Sequence, residues 1–355
     1  MRIAVVTESF YPAVDATTTT VKAVVDRLVD LGHEVALIAP APGLTSYRGA
    51  RVVRITPDGL SARVRGALEE LAPDLVHVTS PGRLGRKALK HARRQQRATL
   101  VVQQTPLTGI PTDYWRAKVA DRADRVLVTA PWLQERLARI DVPSALWSPG
   151  VDTAAYTPRL RDPGLHAAWS RAGSPDGGQV LVGYVGSLHR RYGVRSLADL
   201  GRVPGIRPVV IGDGPQRGWL EDRLPRAKFT GELEPGDLTR ALATLDLLVD
   251  PDPESTCCHA LRAAAASGVP TVAPRAGGAT GVVRPLETGL LYDPTDPRAM
   301  AEAVAALAGD RHRGLLGGRA RELACLHDWG EAVDELVSVH YRPLLGRRED
   351  PPEAA

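Results

Sequence analysis

Glu254 is the residue around which chemistry is easiest to imagine. The run Leu247 to Pro274, LLVDPDPESTCCHALRAAAASGVPTVAP, reads as strand, short loop, helix, tight turn and strand. Leu247 to Val249 suits a buried parallel strand, and Asp250 to Glu254 is a proline-broken loop at its carboxyl end. Cys258 to Ser267 is alanine-rich and helical, with Gly268 as the residue that ends it. Open α/β sheets bind ligands just beyond the carboxyl ends of their strands. A helix that starts there turns N–H groups toward the same crevice, which suits phosphate. Glu254, Thr256, Cys257, Cys258 and His259 therefore form the first candidate site, a carboxylate beside an anion-binding helix start.

The elements that must position this loop fit two α/β domains. The chain has 355 residues, 43% of them apolar, with 34 Gly and 29 Pro for many short connections. Ile3 to Val6 reads as a first buried strand, and Glu8 to Thr20 as a long loop. A helix is expected over Val21 to Leu31, where Val21, Val24, Val25 and Leu28 share a face. Further strands are expected at Glu34–Ile38, Val52–Ile55, Leu75–Val78, Thr99–Gln103, Arg125–Thr129 and Ala145–Trp147. Helices are expected between them at Ser61–Leu71, Arg83–Arg97, Thr112–Ala123 and Trp132–Ile140. After a Gly/Pro/Ser-rich stretch at Gly173 to Gly178 the pattern restarts, with strands at Gln179–Val185, Pro208–Ile211 and Lys228–Thr230. Later helices are expected at Leu238–Leu245, Pro297–Leu307, Arg313–Leu323 and Trp329–Tyr341. Gly346 to Ala355 is polar and reads as a disordered tail.

Several classes are excluded or disfavoured. No Gly-x-Gly-x-x-Gly follows the first strand, against an NAD-dependent enzyme. The three cysteines, Cys257, Cys258 and Cys325, make neither a disulfide framework nor a spaced metal cluster, and they suit a reducing cytoplasm. No metal and no other cofactor is called for. The net charge of +4 is mild and calls for no nucleic-acid partner. It is compatible with peripheral contact with an anionic inner membrane face. The most basic segment, RLGRKALKHARRQQR at Arg83 to Arg97, turns Leu84, Ala88, Leu89 and Ala92 inward. Its charges are either a solvated face or a docking surface for an acidic acceptor or lipid. His77, alone on an apolar strand, reads as a core residue.

The motifs resemble those of retaining family 4 glycosyltransferases, nearest in pattern to GDP-mannose-dependent α-mannosyltransferases. Glu254 matches the first Glu of the family's paired motif, followed by ALRAAAASGVPTVAP, Ala276-Gly277-Gly278 and Glu287-Thr288-Gly289-Leu290-Leu291. Pro73 to Pro81, PDLVHVTSP, resembles the family's "PDVVH…SP" segment. Gly150-Val151-Asp152 with Tyr156-Thr157-Pro158 resembles its interdomain hinge. Gly212-Asp213-Gly214-Pro215 and Thr230-Gly231 resemble its donor-side segments.

This resemblance implies a GT-B fold, two Rossmann-like domains facing across a cleft. They would be 1–157, completed by a C-terminal helix at about 329–345, and 158–328, with a tail at 346–355. It implies transfer of a sugar, with retention, from a GDP- or UDP-linked donor to a small-molecule or lipid acceptor. The implied donor-side residues are Ser187, Arg190, Arg191, Gly212, Asp213, Thr230, Gly231, Thr256, Cys257, Cys258, His259, Arg262, Gly277 and Gly278, with Glu254 catalytic. The implied acceptor side holds Asp15, Ala16, Thr17, His77, Gln104 and Thr105.

The donor pocket departs from the family pattern. Ser187 and Tyr192 stand where relatives hold diphosphate with Arg and Lys. Arg262 replaces the second Glu, and Gly281 replaces an acidic residue. Pro106 follows Gln104-Thr105 where an Asp is usual. Asp15-Ala16 replaces a glycine-containing pair at a position where positive φ is expected. Arg190, Arg191 and Arg262 could restore the lost positive charge. Three readings stand: an active transferase with a rearranged pocket, a catalytically degenerate relative serving as a binding or partner subunit, and an unrelated doubly wound enzyme such as a sugar-nucleotide epimerase. Arg262 would then either meet an anionic part of a donor or form an internal pair filling the ribose site.

Overall fold

The computed structural model describes residues 1–107, 109–170 and 178–349. The chain divides into two compact units, Met1–Pro149 with Trp329–Ala355, and Gly150–Asp328. The division falls between Pro149 and Gly150, at the start of the expected hinge segment and ahead of the boundary expected near Thr157.

The first unit holds an eight-stranded sheet. Its strands are β1 (Arg2–Thr7), β2 (Glu34–Pro40), β3 (Ser46–Tyr47), β4 (Ala50–Ile55), β5 (Leu75–Thr79), β6 (Ala98–Gln103), β7 (Arg125–Val128) and β8 (Ala145–Leu146). Their order is β3-β4-β2-β1-β5-β6-β7-β8, parallel except for the short β3–β4 hairpin. Both faces are covered, so β1 is buried from Ile3 to Thr7 and apolar from Ile3 to Val6, yet its side chains still alternate between the faces. Ile3 and Val5 enter one core, and Ala4 and Val6 the other.

The second unit holds β9 (Val180–Val185), β10 (Ile206–Ile211), β11 (Lys228–Gly231), β12 (Leu247–Val249), β13 (Thr271–Pro274) and β14 (Gly289–Tyr292). The order β11-β10-β9-β12-β13-β14 is fully parallel. In both sheets the chain winds outward one way, then returns to the middle and winds the other way. The reversals lie between β1 and β5 and between β9 and β12. These are the switch points at which doubly wound sheets open a ligand crevice.

Three expectations are corrected. The helix after β1 starts at Ala16, not Val21, and runs Ala16–Asp30. Four consecutive threonines make poor helix formers, but Asp15 caps them by accepting from Thr18 N at 2.8 Å. Thr19 and Thr20 hydroxyls then donate to the carbonyls of Asp15 and Ala16. The helix Thr112–Lys118 is shorter than expected and passes into a 3₁₀ turn, Ala120–Arg122.

Third, the C-terminal helix does not end at Tyr341. It runs Trp329–Glu335, widens into a π-helical segment Leu336–Tyr341 and continues as Arg342–Glu349. Gly346 to Glu349, expected in a disordered tail, are thus helical, and 350–355 lie outside the described residues. The segment packs on the first unit. Buried Trp147 donates Nε1 to Ala332 O at 2.8 Å, and Arg27 pairs with Asp334. Gly173 to Pro175 and the rest of 171–177 lie outside the described residues, as does Thr108.

Candidate functional site

The second unit's switch point is built from the loops after β9 and β12. Asp250 extends β12, its N–H donating to Val272 O at 2.9 Å. Its carboxylate Oδ1 then accepts from Asp252 N at 3.0 Å, and Asp252 Oδ1 accepts from Glu254 N at 2.9 Å. Pro251 and Pro253, between them, have no N–H to satisfy. The result is a stair of two Asx turns with fixed proline φ angles, ending on the exposed carboxylate of Glu254.

Two glycines close around the stair. A Cβ on Gly193, at φ 69°, would lie 2.4 Å from Pro251 O. One on Gly277, at φ 61°, would lie 2.8 Å from Pro253 O. Gly278 closes the turn by donating to Ser255 O at 2.7 Å. The expected ligand turn at Gly277-Gly278 therefore holds the loop directly.

Burial shapes the electrostatics of the stair. The Asp250 carboxyl is pushed up to about 7. Desolvation is the main cause, the Asp252 N–H opposes it, and the Asp252 charge adds to it. Asp252 is also raised by burial, and Arg191 pulls it back. A carboxyl raised on folding binds more protons folded than unfolded. Its stabilising effect is therefore present at low pH and is lost as pH rises from about 4 through about 7. Asp250→Asn keeps the acceptor oxygen and removes the titration. We expect it to flatten the fall in stability across that window, measured by urea unfolding at several pH values. An unchanged slope would show that Asp250 does not titrate there.

The helix expected from Cys258 begins one residue later, His259–Ala266, with Cys258 as its N-cap in the left-handed region at φ 52°. No side chain caps this start. Cys257 and Cys258 are both buried, and desolvation pushes the Cys258 thiol up to about 12. A thiol so protonated packs rather than reacts. Thr256 and His259 flank it, half-buried.

Arg262 does not form the expected internal pair with a carboxylate among the described residues. Its Nε donates to Cys257 O at 3.0 Å, and among the described residues it makes no ion pair. Desolvation holds its pKa below the usual arginine value. The side chain ties the back of the ligand loop to its own helix through a carbonyl, where an internal carboxylate pair was expected.

The cations near β9 differ from one another. His189 accepts from Arg191 N at the start of the 3₁₀ turn Arg190–Tyr192. Arg191 stacks on Tyr192, 4.7 Å from the ring centroid, and donates to its hydroxyl at 2.7 Å. Arg190 is exposed, with no ion pair or side-chain hydrogen bond among the described residues. Ser187 is exposed, and its carbonyl accepts from the Tyr184 hydroxyl at 3.0 Å. Gly212 donates to Gly231 O at 2.8 Å, and Thr230 Oγ1 donates to the same carbonyl. Asp213 pairs with Arg217 at 2.8 Å. Among the described residues no group of three or more His, Cys, Asp or Glu could hold a metal ion.

The acceptor-side set is only partly presented by the first unit. Asp15 is exposed but spends its carboxylate on the helix cap. Ala16 is helical, so the positive φ expected there is absent. Thr17 is buried in the first turn. His77 is a core residue. It is 1% exposed and bonds Tyr341 Oη through Nδ1 at 2.6 Å, and desolvation lowers it to about 3. Gln104 is buried, while Thr105 is exposed and accepts from Gln103 Nε2.

Three site residues went unnoticed in the sequence. Asp250 and Asp252 carried a readable signal, the alternation Asp-Pro-Asp-Pro-Glu. Glu8 carried none, because its partner is remote. Its Oε1 accepts from Gly85 N at 2.8 Å and caps the helix Arg83–Arg94 across the β1–β5 switch point. Burial raises its pKa against that bond and the charge of Arg86.

Two doubly wound parallel sheets of this topology are those of the GT-B fold. The fold matches Anabaena HepE in complex with UDP at a TM-score of 0.82 and 17% identity, covering 96% of this chain and 100% of that one. The Glycosyltransferase Family 4 model matches residues 17–155, and the Glycosyl transferases group 1 model matches 179–310. A GDP-mannose-dependent alpha-mannosyltransferase of Mycolicibacterium smegmatis is 36% identical, over 98% of this chain and 99% of its own length. One of Mycobacterium tuberculosis is 33% identical over 98% of each. The chain belongs to glycosyltransferase family 4, and it is a retaining, nucleotide-sugar-dependent glycosyltransferase. The epimerase reading is thereby set aside, and the degenerate reading finds no support in these likenesses.

Proposed function

We propose that the chain transfers a mannosyl residue from GDP-mannose to a lipid or small-molecule acceptor, with retention. The observation that carries this reading is likeness over the full length, through both units, to relatives described as GDP-mannose-dependent alpha-mannosyltransferases. On this reading Glu254 accepts hydrogen bonds from the donor sugar, and the β10 and β11 ends at Gly212, Thr230 and Gly231 meet the nucleoside. The diphosphate lies between Arg190 and the helix start at Thr256 to His259. Arg190 takes over the role of the cations absent at Ser187 and Tyr192, because its charge is not spent on a neighbour. Asp15, Thr105 and the β1–β5 switch point serve the acceptor.

Incubation with GDP-mannose and a bacterial lipid extract should release GDP and give a product whose new linkage is α by NMR. Consumption of UDP-sugars but not GDP-mannose would overturn the donor assignment. Arg190→Ala should weaken GDP binding about 10- to 100-fold by titration calorimetry, the loss of one charged hydrogen bond. Arg191→Ala should cost less, because Tyr192 already holds that side chain. Equal losses would show that the two arginines share the phosphate.

A further inference from the structure

The start of the helix Arg83–Arg94 lies at the β1–β5 switch point of the first unit, where a parallel sheet would ordinarily receive an anion. In this chain the protein's own carboxylate is already seated there. Glu8 follows β1, and its Oε1 accepts from Gly85 N at 2.8 Å. Gly82 is the N-cap of that helix, with an ordinary φ of −84°. What its missing side chain provides is room, since a Cβ there would lie 2.5 Å from Glu8 Cδ. Burial raises the Glu8 pKa, and the N–H groups of Gly85, Leu84 and Gly82 and the charge of Arg86 pull it back. The Arg86 guanidinium itself lies over the Tyr114 ring, 5.5 Å from its centroid. Around Glu8 the strand ends are uncharged. Thr79, Gln103 and Thr129 are buried at or just past the ends of β5, β6 and β7, and Ser9, Ser80 and Thr105 lie nearer the surface.

We propose that Glu8 is a specificity-determining residue of the transfer reaction: it fills the anion site of the first switch point and reserves that point for an acceptor whose reacting end is uncharged and hydroxyl-bearing. A phosphate arriving there finds the helix N–H groups facing Glu8 and stands beside a like charge, a repulsion of the kind that rejects wrong partners. The hydroxyl and amide groups of the neighbouring strand ends can each donate or accept. They suit a polyol, which does both, better than a phosphate, which asks chiefly for donors. The second unit differs in charge at the corresponding place, where the exposed Arg190 and Arg191 follow β9. This inference rests on the reading that places the acceptor at the first switch point, and it narrows the acceptor's chemical class.

The test is amide NMR of the full chain, with GDP present to occupy the second unit, during titration with inorganic phosphate. The amides of Gly82, Leu84 and Gly85 should move in Glu8→Gln at phosphate concentrations that leave the wild type unchanged, a gain in affinity of at least about tenfold. Glu8→Ala, which also clears the space, should gain at least as much. Glu34→Gln, the same charge change on an exposed residue at the amino end of β2, should gain nothing. A dispersed amide spectrum shows that each variant is folded. Equal phosphate binding by the wild type, no gain in either Glu8 variant, or an equal gain in Glu34→Gln would overturn the proposal. GDP release from GDP-mannose supplies the second readout. The wild type should favour glycerol over glycerol 3-phosphate, and Glu8→Gln should move that ratio at least about tenfold toward the phosphate. An unmoved ratio would overturn the proposal too. No release with either acceptor would count against the acceptor reading, while the amide shifts still decide the role of Glu8.

Discussion

Glu254→Gln is expected to lower turnover about 10- to 100-fold while leaving the melting temperature almost unchanged. The loss corresponds to one charged hydrogen bond to the donor sugar, about 1.5–3 kcal/mol. Glu254 is exposed, and its backbone N–H, not its side chain, is what the stair uses. Gln fills the same volume, so folding should shift by less than about 0.5 kcal/mol. Initial rates with GDP-mannose and thermal melts of both proteins decide this. Equal turnover would remove Glu254 from the reaction. Asp252→Asn leaves Glu254 charged and keeps an acceptor for its N–H, so it should lose far less.

Trp147→Ala is expected to cost about 3–5 kcal/mol, the range for deleting a large buried aromatic side chain. Trp147 is fully buried, and its indole N–H is the partner of Ala332 O. The substitution therefore opens a cavity and orphans a carbonyl where the C-terminal helix meets the first sheet. Trp147→Phe refills much of the cavity and should cost less. Urea unfolding followed by circular dichroism measures both. A loss under about 1 kcal/mol for Trp147→Ala would mean that the C-terminal segment is dispensable to the first unit.

These two cases also mark what the amino-acid order reveals. Strands such as β1 and β12 were legible because sheets covered on both faces demand continuous apolar runs. Gly268 was legible as a helix end because its φ of 70° belongs to the left-handed region. The Ala16–Thr20 helical turn was hidden, since threonine propensity argues against it and only Asp15 and backbone-directed hydroxyls reverse the balance. The bonds of His77 to Tyr341 and of Glu8 to Gly85 join residues far apart in sequence, so local pattern could not foresee them. At Arg262 the residue type alone allowed an anion or a carboxylate as partner. The fold gives its Nε a loop carbonyl in place of a carboxylate.

The electrostatic design of the second switch point follows from the same residues. Asp250 and Asp252 spend carboxylate oxygens on backbone N–H groups, and so set where Glu254 emerges. Arg191 is held by Tyr192 and acts on Asp252, and Arg262 is withdrawn behind the loop. Arg190 is exposed and makes no ion pair or side-chain hydrogen bond among the described residues, which is why the proposed function gives it the diphosphate.

The central claim, that the second unit receives a guanosine diphosphate sugar, is tested most directly by thermal shift with GDP, UDP and TDP in parallel. A nucleotide at 100 times its dissociation constant adds about 2.7 kcal/mol of stability, a shift of several degrees in a domain of this size. The account predicts a clear rise with GDP, smaller or absent rises with UDP and TDP, and a reduced rise in Arg190→Ala. No rise with GDP at millimolar concentration, or a larger rise with UDP, would contradict it.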